Sequence, residues 1–436
     1  MIYRVKWILA LLVFSFIEYL LPTVLRAEEA TSSINTGDTA WLLISTALVM
    51  FMIPGLAFFY AGMVRKKNVL ATIMHSFSLL CLISVQWVLW GYTASFGSDI
   101  GGLIGGLDFL GLKGVGAEPL GTVPHLAFMM FQGMFAAITV ALITGAFAER
   151  IKFSAFVIFS LLWATLVYDP LAHWTWGGGW LMDLGALDFA GGTVIHISSG
   201  VSALVAAIVI GKRSGYPREA MPPHNLTMTV LGTAMLWFGW FGFNGGSALA
   251  ANGVAANAFV TTNTAASAAA LTWLFIEWVH RGKPTVLGAA TGAVAGLVGI
   301  TPGAGFVSPI SSIIIGIGAG IFCYTAVAVI KPKFGYDDSL DVFGCHGIGG
   351  IWGAIATGLF ASTTINPDGA NGLFFGNPWQ LMVQIISIVA TVVFAVVVTF
   401  VILKVVDSVV GLRVKEQEEL AGLDISQHGE SGYTLS

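Results

Sequence analysis

Eleven apolar runs follow one another between residues 39 and 406, each long enough to cross a bilayer. A crossing takes roughly 20 apolar residues, and a backbone inside hydrocarbon must satisfy its own hydrogen bonds, so such runs fold as helices. They lie at about 39–62, 68–95, 123–148, 153–172, 189–211, 226–250, 257–280, 285–306, 309–331, 342–361 and 378–406. Charged residues make up 10% of the chain, against roughly 25% in soluble domains. The sequence therefore predicts an all-α polytopic membrane protein with eleven transmembrane helices. Its 54 glycines are spread through the apolar runs, as expected where helices pack closely through small residues.

The connections carry the orientation. Basic residues cluster after every second run: Arg65, Lys66 and Lys67; Arg150 and Lys152; Lys212, Arg213 and Arg218; Arg281 and Lys283; Lys331 and Lys333; then Lys404, Arg413 and Lys415. That places 15 of 19 basic residues on one side and leaves Lys113 alone on the other. The positive-inside rule makes the crowded side cytoplasmic, with the mature N-terminus outside. Residues 1–27, with Arg4 and Lys6, an apolar stretch and Ala27 before Glu28, read as a cleaved signal peptide. The bulk of Leu25 keeps an uncleaved first span as the alternative. The net charge of −4 and the lack of a long basic block argue against a nucleic-acid partner. Cys81, Cys323 and Cys345 are odd in number and sit inside apolar runs, so a disulfide framework is not expected.

The chain repeats itself. Asp188 precedes His196 by eight residues and Asp338 precedes His346 by eight, while Gly200 and Gly350 each follow their histidine by four. Gly55, Phe59 and Gly62 are spaced like Gly239, Phe243 and Gly246. Two five-helix halves are predicted, plus one extra helix. Five is odd, so the halves are inverted, a plan that places a substrate site near the midplane between repeats.

Ionisable groups inside spans are costly and usually face a bundle interior or a pathway. His196 and His346, at matching repeat positions, are the first candidates for a shared site. Neutral imidazoles each offer one donor and one acceptor nitrogen, so the two can share a hydrogen bond. Axial ligation of a haem is the rival reading, although no Cys or carboxylate completes a zinc set. Asp338 and Asp341 stand where helix-capping aspartates stand. Asp188 is either a cap or part of a field that favours a cation at the outer mouth. Trp174, Trp176 and Trp180 are expected just outside the fourth span, and Trp240, Phe243 and Ser247 fall on one stretch of the sixth. Such rings attract a cation and a hydroxyl accepts one hydrogen bond from it, though membrane belts and packing use the same residues. Walker, HExxH and GxSxG motifs are absent, which disfavours catalysis.

The segments "FQGMFAAITVALITGAFAERIKFSA", "DFAGGTVIHISSG", "GWFGFNGGSA", "DVFGCHGIGGIWG" and "VGLRVKEQEELAGLDISQHGE" resemble the ammonium transporters of the Amt/MEP branch, relatives of the Rh proteins. The likeness runs from about Asn35 to the C-terminus. It implies a transmembrane domain over 35–406 and a cytoplasmic regulatory tail over 407–436. It also implies a homotrimer in the inner membrane, one pore per protomer. By resemblance, His196 and His346 are the twin histidines of the pore and Phe135 and Phe243 its stacked gate. Trp176, Phe135 and Ser247 match the outer site that recruits ammonium, with Asp188 below it, and Trp240 lines the pore. The pair Trp176 and Ser247 favours Amt over Rh. NH4+ would be captured outside and deprotonated at the gate, NH3 would pass the histidines, and methylammonium is a further possible substrate. The tail implies contact between subunits and docking of a PII-family regulator. No cofactor or metal is implied. A non-conducting ammonium sensor on the same fold is the alternative, disfavoured by the shortness of the segment after the last run.

Overall fold

The structure, a computed structural model, describes residues 33–433; the expected signal segment lies outside the described residues. Ten helices among them are long and apolar enough to cross a membrane: α1 (Thr36–Met63), α2 (Lys66–Phe96), α3 (His125–Ala146), α4 (Phe153–Asp183), α5 (Gly192–Ile210), α6 (Leu226–Gly246), α7 (Gly253–Arg281), α9 (Pro309–Phe334), α10 (Phe343–Phe360) and α11 (Pro378–Val410). An eleventh, α8 (Val286–Ile300), is apolar and shorter, with 15 residues.

Polar side chains start several of these helices by accepting from otherwise unpaired N–H groups. Asn225 caps α6 through Met228 N, Asn252 caps α7 through Ala255 N, and Thr285 caps α8 through Gly288 N. Several helix ends differ by a few residues from the sequence reading, and two of the differences bear on the site. The eighth run was expected to continue to 306, but α8 ends at Ile300 and 301–306 form turns. Pro302 has no N–H and disfavours helix at the residue before it. The fourth run was expected to end at 172, whereas its helix continues through Trp176 and is interrupted only around Gly178, whose φ is +91°. Trp174 and Trp176 therefore stand on α4 instead of beyond it.

The two halves are joined by reciprocal glycine contacts. At the α1–α6 crossing a Cβ on Gly62 would meet Thr229 Oγ1 at 2.4 Å, and one on its repeat partner Gly246 would meet Ser45 Cβ at 2.5 Å. At the α5–α10 crossing a Cβ on Gly200 would lie 2.1 Å from Gly347 N, and one on Gly350 would lie 3.1 Å from His196 Cβ. Each repeat-related glycine thus packs against the other half, the pattern of a two-fold axis in the membrane plane. Wide π turns recur in the same symmetric way, at Ala164–Tyr168 in α4 and Ala326–Ile330 in α9, and at Gly192–Ile197 in α5 and Phe343–Gly347 in α10. The last two carry the histidines. Helix α11 lies outside the repeat and straps it, with Trp163 Nε1 donating to Thr399 Oγ1 at 3.0 Å and Gln384 Nε2 to Leu187 O at 2.7 Å.

On the basic side the chain after α11 is ordered against its own protomer. Val414 N donates to Arg150 O at 3.0 Å and Lys152 N to Leu412 O at 2.9 Å. A short helix, α12 (Glu416–Ala421), follows. Beyond it Asp424 Oδ1 accepts from Ala71 N at 2.8 Å, and Leu423 N donates to Asn68 Oδ1 at 2.8 Å, both at the start of α2.

Candidate functional site

The line of cavities begins on the side opposite the basic connections. A vestibule of about 590 Å³ is walled by Phe128, Gln132 and Phe135 of α3, Thr175 and Trp176 of α4, Phe189, and Ser247 at the end of α6. Ser247 Oγ donates its proton to Phe243 O at 2.8 Å, so its lone pairs are left to accept from a visiting donor. Trp176 Nε1 donates to Asp188 O at 2.9 Å, which fixes the indole against the chain that enters α5. The floor is the pair Phe135 and Phe243, with ring centroids 4.4 Å apart. Phe135 also meets Trp176 at 6.4 Å.

Below the rings lies a narrow enclosed chamber lined by Phe243, Trp240, His196, His346 and aliphatic side chains that include Leu56, Ile138 and Val294. It admits no more than about one water-sized molecule, so a haem does not fit. His346 Nδ1 and His196 Nδ1 are 3.2 Å apart, and their rings are 28° from parallel. This is a shared hydrogen bond: one Nδ1 carries the proton and the other accepts it. Trp240 lies over His196 at 5.5 Å and is held by its Nε1 donating to Thr301 Oγ1 at 3.0 Å. His196 Nε2 is buried without a hydrogen-bond partner, facing an apolar wall. A third chamber shares Phe59, Val294 and His346 with the second and continues towards the basic side past Tyr60, Met63 and Asp341.

Of the residues singled out in the sequence, Trp176, Phe135, Ser247, Phe243, Trp240, His196 and His346 are thus brought together, whereas Trp174 and Trp180 pack on each other away from the chambers and Asp188 stands aside. Its carboxylate accepts from the N–H groups of Gly191 at 2.9 Å and Thr193 at 2.8 Å, and also from Gly192 N, Val194 N and the Thr193 hydroxyl. All its partners are Gly191, just before α5, and residues of the first turn of α5, and it does not line the vestibule. Asp338 caps α10 in the same manner through Phe343 N at 2.8 Å. Burial pushes the Asp338 carboxyl up to about 6, against the lowering effect of Lys331. Asp341 was expected to cap as well; its carboxylate instead pairs with Lys331 Nζ at 2.5 Å.

Sequence reasoning missed Gln132, Thr175 and Phe189 of the vestibule, and Thr301, which sets the Trp240 ring. Gln132 is a polar residue within an apolar span, which was a usable signal; Phe189 and Thr301 carried none. The basic face was also richer than its charge count. Arg213 grips Asp337 through Nη2 at 2.8 Å, and Glu149 lies 2.6 Å from Arg65 and 3.5 Å from Arg213. Burial alone would raise the Glu149 and Asp337 carboxyls, but these guanidiniums overcome it and hold both below the usual range.

The profile of the Ammonium Transporter Family matches residues 40–433. The ammonium transporter of Bacillus subtilis is 58% identical over 400 residues, covering 91% of this chain and 98% of that protein. The crystal structure of Candida albicans Mep2 superposes with a TM-score of 0.84 at 38% identity, covering 91% of this chain and 90% of that one. A structure described as a sensor Amt protein also superposes with a TM-score of 0.84, at 28% identity over 90% of this chain. With the family profile spanning nearly all the described residues and relatives this similar along their whole length, the chain belongs to the ammonium transporter family.

Proposed function

We propose that this ammonium transporter captures NH4+ in the outer vestibule, strips its proton at the Phe135–Phe243 gate, and passes NH3 along His196 and His346 to the basic side. The observation that carries this reading is the succession of three chambers, the first closed from the second by the ring pair. A polar aromatic vestibule is followed by two rings in contact, then by a chamber too small and too apolar for a hydrated ion. An alkyl ammonium such as Lys has a pKa near 10.4, so amines of that kind arrive about a thousandfold more often charged than neutral at pH 7. Trp176 and Phe135 offer ring faces to that cation, and Ser247 Oγ accepts one N–H. Crossing the apolar chamber as an ion would incur a large desolvation penalty, whereas neutral NH3 keeps only hydrogen bonds to replace. The imidazole pair supplies those partners in mid-chamber. Asp188 contributes by holding the first turn of α5, and its charge faces the helix N-terminus that carries His196.

The basic side is cytoplasmic in this reading, the membrane is the inner membrane, and the segment before the described residues acts as a signal peptide. Three protomers form a homotrimer with one pore each. The tail against the basic face is the surface on which a PII-family regulator docks, and methylammonium takes the ammonium route. The second reading, a sensor that binds ammonium without conducting it, is favoured by the superposition on the sensor Amt structure. Purified protein in proteoliposomes under an inward ammonium gradient separates them. Flux above protein-free vesicles supports transport, and binding with no flux supports the sensor. Current alongside flux means that the proton crosses by its own route, and silent flux means that it stays behind.

A further inference from the structure

The vestibule holds one polar side chain that capture of NH4+ by Trp176, Phe135 and Ser247 leaves unused. Gln132 of α3 is 9% exposed and lines the vestibule; its amide hydrogen-bonds to no described residue, yet neither amide atom is sealed off by protein. A polar group set in an apolar span carries a cost and usually serves a pathway. Both neighbours in sequence fix the direction of this one. A Cβ on Gly133 would meet Trp87 Cδ1 at 2.7 Å, so α3 is pressed against α2 there, and Phe131 abuts α6, where a Cβ on Gly246 would lie 2.9 Å from Phe131 Cε2. Trp87 Nε1 also donates to Met129 O at 3.0 Å. With α3 unable to turn, Phe128, Gln132 and Phe135, spaced four and three residues apart, share the face that walls the vestibule.

The level of the amide follows from the helices. α3 runs towards the basic connections and α6 runs away from them. At 1.5 Å per residue, Gln132 stands about 4.5 Å from Phe135 along α3 and Ser247 about 6 Å from Phe243 along α6, both further from the basic side than the rings. The two rings touch, with centroids 4.4 Å apart, so an amide and a hydroxyl rise from two walls over one ring pair. We propose that Gln132 is a substrate-binding residue whose Oε1 accepts a second N–H of the cation held by Ser247, and that it sets the preference for ammonium over methylammonium. On the reading that the vestibule captures NH4+, on which this rests, the four N–H groups of the ion are all used. Ser247 Oγ and Gln132 Oε1 accept two, and the faces of Trp176 and Phe135 meet the other two. Methylammonium has three N–H groups and a methyl. Without the amide oxygen, ammonium keeps an N–H that nothing accepts, whereas methylammonium turns its methyl to that wall and keeps every donor paired.

Steady-state uptake of ammonium and of radiolabelled methylammonium by the full protein in proteoliposomes tests the assignment. Gln132→Met keeps the length of the side chain and removes its oxygen. KM for ammonium should rise about tenfold or more, the scale of a lost hydrogen bond to a charged group. KM for methylammonium should rise by under about threefold, since its three donors stay paired, and kcat should change little for either. Gln132→Glu restores an acceptor of the same length and should keep the ammonium KM at or below wild type, with the wild-type preference. A side chain that only supports the wall moves both substrates together, so equal changes in the two KM values, or a Glu variant that behaves like Met, overturn the role of Gln132. Ser247→Ala separates this from the reading beneath it. A raised ammonium KM there with none in Gln132→Met removes Gln132 alone, and an unchanged KM in both removes the vestibule as the capture site as well.

Discussion

Gly200 and Gly350 occupy equivalent places in the two halves, yet alanine at the two positions has very different consequences. At Gly200 a Cβ would lie 2.1 Å from Gly347 N, 2.5 Å from Gly347 Cα and 2.9 Å from His346 C. All three are backbone atoms that no rotamer change can move, so α5 and α10 must part by about 1 Å, and overpacking of this kind costs about 1–3 kcal/mol. The upper end applies here because the obstacle is backbone on both sides. At Gly350 the contacts are 3.0 Å to Gly192 O, 3.0 Å to Ile197 Cγ1 and 3.1 Å to His196 Cβ. A few tenths of an ångström relieve them, at under about 1 kcal/mol. The gain in helix propensity from Gly to Ala is the same in both and cancels in the comparison. Gly200→Ala also pulls apart the imidazoles, now 3.2 Å apart, and a further ~1 Å breaks their hydrogen bond. At about 1.4 kcal/mol per tenfold, Gly200→Ala should lose roughly tenfold or more in the folded-to-unfolded ratio at the wild-type Tm, and its methylammonium flux should fall with the broken histidine hydrogen bond. Gly350→Ala should stay within about threefold of wild type. Equal effects, or the reverse order, would refute the reasoning that the two halves meet through backbone at Gly200.

Ser247→Ala removes one acceptor from the vestibule; a hydrogen bond to a charged group is worth about 1.5–3 kcal/mol, so KM for ammonium should rise by tenfold or more with kcat little changed. Thr301→Val leaves Trp240 Nε1 without its partner and should slow flux through the chamber while leaving the outer site's KM unaltered, as steady-state uptake would show. Asp188→Asn keeps the size of the side chain but replaces one capping oxygen by a donor, so it should lower thermal stability more than it lowers apparent ammonium affinity. The carboxyls of Glu149 and Asp337 are held below their ordinary values by Arg65 and Arg213. Their stabilisation is therefore fully present above about pH 4 to 4.5, where the unfolded groups titrate, and is lost as pH falls through the lowered values. Limited proteolysis of the basic-side loops should be flat from pH 8 to about 5 and rise only under stronger acid; a rise near neutral pH would contradict this sign.

Much of the architecture was legible because a bilayer leaves few choices: length and apolarity delimit spans, and alternation of basic connections orders them. The pairing of His196 with His346 was legible from the repeat, since two polar groups at equivalent positions of inverted halves meet at the axis. Helix ends were less so. Pro302 cut α8 short, while the aromatic run around Trp174 looked like an interface and proved to be helix. Asp188 was undecided in sequence because capping and attraction of a cation require the same residue at the same place. Its oxygens point towards the N–H groups of Gly191 and of the first three residues of α5, a direction that no sequence pattern reveals.

The central claim is that neutral NH3 travels along the histidine pair. Its most direct test is ammonium-driven flux and current in proteoliposomes, wild type against His196→Ala and His346→Ala, each checked for folding by its thermal transition. Either substitution should lower or alter the wild-type flux and change selectivity among ammonium, methylammonium and alkali cations. Unchanged rate and selectivity in both variants would return the two histidines to packing and contradict the account.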